Sequence, residues 1–302
     1  LQAARYLGDL APAADAVTNG LASNAMQTAQ SVAMATEKLA FEREQLTALL
    51  TEIPVAMIMI SSAHKIVLYD GQAAQALGQI AVPRLQASIF DDLDETCLRA
   101  AYASMAKTGM DATFTAIGAH GVHEFDATLK PLGDAKGYML VLESGIHLDP
   151  NTARPLTYDF DLLADPGDGI LHDRPLRSLA FTVLDTETTG LLPHKDEIVQ
   201  IGAVRVVNGK IIEGEIVNTL VDPGMPIPRA STLIHKITDA MVAGAPPISE
   251  AAKEFHAFSR ESVIVAHNAP FDMAFLHRQS NESGVRFDHP VLDTVHLSAV
   301  VF

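Results

Sequence analysis

Two carboxylates one residue apart, Asp185 and Glu187, end the apolar run Leu179 to Leu184, and a third, Asp272, closes the downstream segment His267-Asn268-Ala269-Pro270-Phe271-Asp272. Side chains at i and i+2 of a strand share a face, so Asp185 and Glu187 project the same way. Unpaired carboxylates converging in a partly dry site repel each other and take up a proton. Hard divalent cations such as Mg²⁺ or Mn²⁺ satisfy them instead through oxygen coordination. Asp272 falls near the start of a helix whose Phe275 and Leu276 face inward, which can carry a third carboxylate to the first two. The expectation is a three-carboxylate metal cluster.

The elements that must position these groups are legible nearby. Glu197 to Val207 reads as a second strand, Asn208-Gly209 as a hairpin turn, and Lys210 to Val221 as a third strand. A helix is predicted over Ile248 to Ser259 and an apolar strand over Val263 to Ala266, directly before the segment that ends in Asp272.

The ordered set Asp185-Thr186-Glu187-Thr188-Thr189-Gly190, the EIVQIGAVRV run from Glu197, Ile234 to Thr238, and His267 to Asp272 resembles the DEDD exonucleases, specifically the DEDDh type of the bacterial polymerase III proofreading epsilon subunit. The resemblance implies an α/β, RNase-H-like domain, a mixed sheet flanked by helices, that hydrolyses terminal phosphodiesters 3′ to 5′ with two Mg²⁺ or Mn²⁺ ions. It makes Asp185, Glu187 and Asp272 catalytic metal ligands. Thr188, His235, Asn268 and Phe271 fall where that family contacts the terminal nucleotide of a single-stranded DNA or RNA 3′ end. The family completes its site with a His five residues before a fourth Asp. The only such pair here is His267 with Asp272, inside the second motif, and Asp293 reads as a helix cap. The third motif is expected after Phe302, and these residues alone are expected to bind metal weakly and turn over poorly.

The remainder reads as a different kind of protein. With 302 residues and 48% hydrophobic content the length favours two domains. A formal charge of −16 argues against broad binding to duplex nucleic acid but not against a carboxylate-based nuclease. The one cysteine, Cys97, excludes an internal disulfide framework and a Cys-rich zinc site, and reads as a packed helix residue. No apolar run approaches the ~20 residues of a membrane span. The expected location is the cytoplasm, possible anchoring being through a segment before Leu1.

Residues 1–52 are expected to form a long amphipathic helix that pairs with a second copy in a homodimer. Residues 53–144 show two strands, helices and a three-strand meander. With Glu52-Ile53-Pro54, Ala63 to Asp70 and Ala73 to Gly78, this order resembles a PAS sensor domain behind a signalling helix, which implies an α+β fold and a ligand of unknown identity. Asp70 stands where many such domains place Asn, and His64, His120 and His123 read as structural. Residues 145–177 read as a linker, whose segment Arg154 to Leu163 is apolar enough to dock on the following domain, and residues 178–302 as the exonuclease domain. The rival reading is a signalling or scaffold protein with an inactive nuclease fold.

Overall fold

A computed structural model describes residues 55–78, 80, 82–119, 121–133, 137–143, 156–163 and 173–301, with 26, 29–34, 36–38 and 41. The chain divides into two compact units, Leu1–Ile53 and Pro54–Phe302. In the first, the described positions are helical, and the rest of the expected helix and its dimer seam lie outside the described residues. No helix among the described residues is long and apolar enough to cross a membrane.

The second unit holds two sheets. The first is built from β1 (Ala56–Ser61), β2 (Ile66–Tyr69), β3 (Ala112–Ile117), β4 (Glu124–Pro131), β5 (Gly137–Leu142) and β6 (Thr157–Tyr158), in the order β3-β4-β5-β1-β2-β6 with antiparallel neighbours. Helices α1 (Gly71–Leu77) and α2 (Glu95–Thr108) lie between β2 and β3 in the chain. Asp70 starts α1 by accepting from Ala73 N at 2.7 Å, and it also accepts from Met57 N at 3.2 Å. One carboxylate thus caps a helix and fastens it to β1. Asp94 caps α2 in the same way, through Cys97 N at 3.0 Å, and left-handed Gly109 ends it.

The side chains singled out here are structural. His64 is buried, meets Tyr138 Oη at 2.7 Å and lies edge-on to Tyr102. Burial, then the charge of Arg99, holds its pKa below the usual imidazole range. The Cys97 thiol is held above its ordinary range by desolvation and by Asp94, which disfavours the nucleophilic thiolate. His123 stacks near Phe125, and His120 lies outside the described residues.

The segment before residue 163, expected to dock on the following domain, pairs Thr157 and Tyr158 with Tyr69 and Leu68 and so extends the first sheet. The physical reason is that β2 would otherwise present an unpaired edge, and a short extended segment satisfies its backbone groups. The segment also meets the second sheet: Asp159 accepts from Asn208 Nδ2 at 2.8 Å, Thr157 and Tyr158 lie against residues 210–220, and Leu162 joins the core with Ala180, Val207 and Ile212.

The second sheet comprises β7 (Phe181–Thr188), β8 (Ile198–Val207), β9 (Lys210–Leu220), β10 (Val263–Ala266) and β11 (Val291–Asp293), in the order β11-β10-β7-β8-β9. Strands β7, β10 and β11 run parallel, while β8 and β9 run antiparallel, giving a mixed sheet. Its helices are α3 (Arg229–His235), α4 (Asp239–Val242), α5 (Ile248–Ser259), α6 (Ala269–Ser283) and α7 (Thr294–Val301). Phe255 and Phe258 of α5 and Met273, Phe275 and Leu276 of α6 bury against Leu184, Ile201 and Ala203. Each such side chain contributes roughly 1.5–3 kcal/mol on burial. The opposite face is open at Val183 and Ile216, 37% and 55% exposed.

The two sheets meet in one continuous core through Ala180, Val207 and Ile212. A register irregularity between Val204 and Val206 accompanies Arg205, which is fully buried and pairs through Nε with Glu215 Oε2 at 2.9 Å. Glu215 Oε1 accepts from Tyr69 Oη at 2.9 Å and from Leu85 N at 2.7 Å, while Arg205 donates to Leu85 O at 3.0 Å. Arg84 donates to Arg260 O at 2.9 Å and pairs with Asp91 at 2.5 Å, and Lys65 pairs with Glu261 at 2.8 Å.

Asp92, beside this junction, is 1% exposed, and burial pushes its carboxyl up to about 8. The folded state therefore holds the proton more tightly than the unfolded chain. The resulting stability is fully present below the ordinary carboxylate pKa of 3.8 and is lost as pH rises to about 8. The loss is at most roughly 1.4 kcal/mol per pH unit. Asp92→Asn should thus gain stability over the parent progressively between pH 5 and pH 8.5 in urea melts. An advantage equal at both pH values would contradict the assignment.

Candidate active site

The parallel strands bring three chain segments to one edge of the second sheet. Ala266 of β10 pairs in register with Asp293 of β11, and Val265 with Val183 of β7, so His267 and the start of α6 emerge beside Asp185. The C-terminal edge of a parallel sheet is the usual ligand crevice of open α/β folds. Along β7, Thr182, Leu184, Thr186 and Thr188 are buried while Asp185 is exposed and Glu187 half-buried, as strand alternation requires.

Asp272, 4% exposed, arrives from the first turn of α6 on the covered side of β7. Its Oδ1 accepts from Thr186 N at 3.1 Å and from Thr186 Oγ1 at 2.5 Å. Burial raises its pKa and the charge of Asp185 raises it further, against the opposing bonds from Thr186. Asp185 and Asp272 therefore sense each other across the strand end. A register irregularity between Glu187 and Thr188 re-aims the backbone there.

The three acids expected as ligands do not stand gathered in this structure. Among the described residues no group of three or more His, Cys, Asp or Glu side chains is placed to hold a metal ion. The reason is geometric: Thr186 holds Asp272 on the helix-covered side, whereas Asp185 and Glu187 alternate toward the open side. In kind, the donors fit a hard divalent cation, being carboxylate oxygens, one of which burial first and a neighbouring negative charge second push toward protonation. In spacing, a shared ion requires side-chain rotation.

The four expected substrate contacts are spread around this edge. Thr188 Oγ1 donates to Gly190 O at 2.7 Å and is committed to the turn. His235, the last residue of α3, accepts from Ile237 N at 3.0 Å through Nδ1, while its buried Nε2 has no hydrogen-bond partner. Asn268 is exposed and left-handed at φ 59° where α6 begins. Phe271 is half-buried and packs edge-on against Phe275 at 5.2 Å. Asp293 accepts from Asn268 N at 3.1 Å and Val295 N at 2.9 Å, so it caps α7 and ties the two loops together. Although burial opposes it, those N–H donors hold its carboxyl below the usual range.

Several positioning residues had not been singled out. Thr186 orients Asp272. Asp196 accepts from Leu192 N at 2.9 Å, and a Cβ at Gly190 would run into its carboxylate, so the turn after β7 needs glycine there. Ser231 Oγ donates to Thr189 O at 2.6 Å, and Arg278 of α6 bonds Pro193 O and pairs with Glu197. The DTETTG spacing signalled the turn, but nothing local to Asp196 or Arg278 linked them to it. On the open face a groove of about 370 Å³ is walled by Val183, Val204, Ile216 and Asn218, with Asp185 in its lining.

Residues 182–302 match the RNase_T family, described as exonuclease. This segment is similar to exonuclease domains. The chain is 59% identical over 150 residues to a DNA polymerase III subunit epsilon-like protein of Rhodobacter capsulatus, covering 49% of this chain and 21% of that one. A PolC-type DNA polymerase III of Clostridium perfringens is 38% identical over 142 residues, 46% of this chain and 10% of that one. The chain thus spans about a fifth and about a tenth of these relatives' lengths. Among solved structures, Exonuclease X in complex with 5′ overhanging duplex DNA is 32% identical, with a TM-score of 0.34 over 40% of this chain and 64% of that one. Escherichia coli Exonuclease I in complex with a dA16 oligonucleotide is 18% identical, with a TM-score of 0.37 over 40% of this chain and 29% of that one.

Proposed function

We propose that the exonuclease domain hydrolyses terminal phosphodiester bonds of single-stranded DNA or RNA in the 3′-to-5′ direction, releasing nucleoside 5′-monophosphates. The observation that carries this reading is the Asp272 carboxylate held by Thr186 within electrostatic reach of Asp185, inside the segment that matches the exonuclease family. Asp185, Glu187 and Asp272 are the residues that would hold two Mg²⁺ or Mn²⁺ ions. When bound, such ions activate water and stabilise the leaving oxygen. Thr186 orients Asp272. Phe271 packs on the terminal sugar or base, Asn268 and His235 bind polar groups of the terminal nucleotide, and Thr188 fixes the turn that faces it. The His-x4-Asp pattern occurs here only within the second motif, so the chain by itself is expected to be slow.

The first sheet, with two strands, helices and a three-strand meander, is read as a PAS-like sensor, and the helical unit before it as a dimerising signal helix. The division into residues 1–52, 53–144, 145–177 and 178–302 belongs to this reading. The scaffold alternative draws on the separation of Asp272 from the open-face pair. An oligonucleotide labelled at its 5′ end and incubated with the chain and Mn²⁺ decides between them: a ladder shortening stepwise from the 3′ end supports the nuclease. No cation-dependent shortening, even for a version extended past Phe302, leaves the scaffold.

A further inference from the structure

Helix α6 carries Phe271, Phe275 and Arg278 at i, i+4 and i+7, a spacing that places three side chains on one face. Phe271 lies edge-on to Phe275 at 5.2 Å, and the Arg278 guanidinium stands 5.9 Å from the centre of the Phe275 ring. Asp272 follows Phe271 directly. Whatever fixes the rotation of α6 about its axis therefore fixes both Phe271 and the buried carboxylate.

The same guanidinium reaches the turn between β7 and β8. Its Nη1 donates to Pro193 O and its Nη2 to Glu197 Oε2, so one planar fork addresses two acceptors four residues apart. Glu197 is locked in turn to the end of β7: its N–H donates to Thr189 Oγ1 at 3.0 Å, and its carbonyl accepts from Thr189 N at 2.8 Å. Asp196 N donates to Leu192 O at 2.8 Å, and the Asp196 carboxylate accepts from Leu192 N at 2.9 Å. These bonds close the turn on itself. Arg278 is what fastens the closed turn to α6. Both partners of the ion pair are about a quarter exposed, where such a pair adds little to stability. Its consequence is geometric: the turn that begins at Thr188 and the helix that carries Phe271 are held at one spacing.

We propose that Arg278 is a positioning residue for the terminal nucleotide, clasping the turn after β7 to α6 so that Thr188 and Phe271 stand preformed at one spacing before substrate arrives. The proposal rests on the nuclease reading above, in which Thr188 and Phe271 serve the terminal nucleotide, and Arg278 acts through them. Without the clasp, turn and helix face must be ordered as the nucleotide binds. Ordering one rotamer-rich group on binding costs up to about tenfold in affinity.

Anisotropy of a labelled single-stranded oligonucleotide in EDTA, where nothing is cleaved, tests the assignment together with Mn²⁺-dependent rates of the full chain. Arg278→Gln is expected to weaken binding about tenfold and to raise KM in proportion, while kcat falls by less than about threefold. Amide exchange in residues 190–196 of the substrate-free variant should quicken, with β8 exchanging as in the parent. Arg278→Lys, which can still pair with Glu197, should recover part of the affinity. Faster exchange throughout β8, with Arg278→Lys no better than Arg278→Gln, would reduce the residue to a structural part and overturn the proposal. Parental affinity and KM in Arg278→Gln would overturn it while leaving the nuclease reading in place. A parent that neither binds nor shortens the oligonucleotide would overturn both.

Discussion

Asp185→Asn is expected to lower the Mn²⁺-dependent cleavage rate by about 10²–10³-fold, the scale found when one preorganised electrostatic group is removed from an active site. The same change should leave the fold intact or slightly more stable. Asp185 is exposed, and its charge raises the Asp272 pKa. Removing that charge lets Asp272 ionise in the folded state more nearly as it does in the unfolded chain, so the folded state gains at neutral pH. Loss of rate with gain of stability is what a site built from mutually repelling groups should give. Thr186→Val grades the effect. It keeps the shape but deletes the 2.5 Å hydroxyl bond to Asp272, and as a supporting partner should cost about 10–100-fold in Mn²⁺ affinity or rate. Rates on a labelled oligonucleotide and calorimetric Mn²⁺ titrations check both. If Asp185→Asn kept the parental rate and cation affinity, the carboxylates would not be the catalytic centre and the scaffold reading would stand.

What the sequence discloses here follows from periodicity. Helix α5 and strand β10 fall where the pattern places them, because Phe255 and Phe258 recur at helical spacing and Val263 to Ala266 is a short apolar run between polar turns. Phe275 and Leu276 are fully buried as expected, which fixes the face that α6 presents and so delivers Asp272 to β7. The final approach is not periodic. Whether Asp272 turns to its neighbours or to Thr186 depends on an irregular strand end, where one hydroxyl decides the rotamer. Long-range partners were equally silent: Asp196 beneath Gly190 and Arg278 against Glu197 meet only once β8 and α6 are folded. One signal was present and unused. Arg205 occupies the same parity of β8 as Ile201, Ala203 and Val207, so a charge sits on an apolar face. That pattern marks either an error or a buried ion pair, and Glu215 supplies the pair.

Arg205→Met should be the most destabilising single change at the junction of the sheets, costing about 3–5 kcal/mol, because it strands the Glu215 carboxylate with no exposed surface. In a unit of this size each kcal/mol is worth roughly 2–4 °C, so the thermal midpoint should fall by about 10 °C. The cost belongs to the uncompensated charge more than to the attraction itself. Arg205→Met/Glu215→Leu should therefore be more stable than Arg205→Met, since no buried charge is left alone. Recovery should stop short of the parent, because Leu85 N and Tyr69 Oη lose the carboxylate oxygen that both now share, and Leu85 O loses the guanidinium. Those groups belong to the first sheet and its following loop. The double variant should accordingly show its remaining deficit as an earlier melting of the first sheet, visible in calorimetry as a split or broadened transition, while Arg205→Met lowers both together. A double variant no more stable than Arg205→Met would mean that Arg205 contributes through its packing, and that the ion pair does not join the sheets.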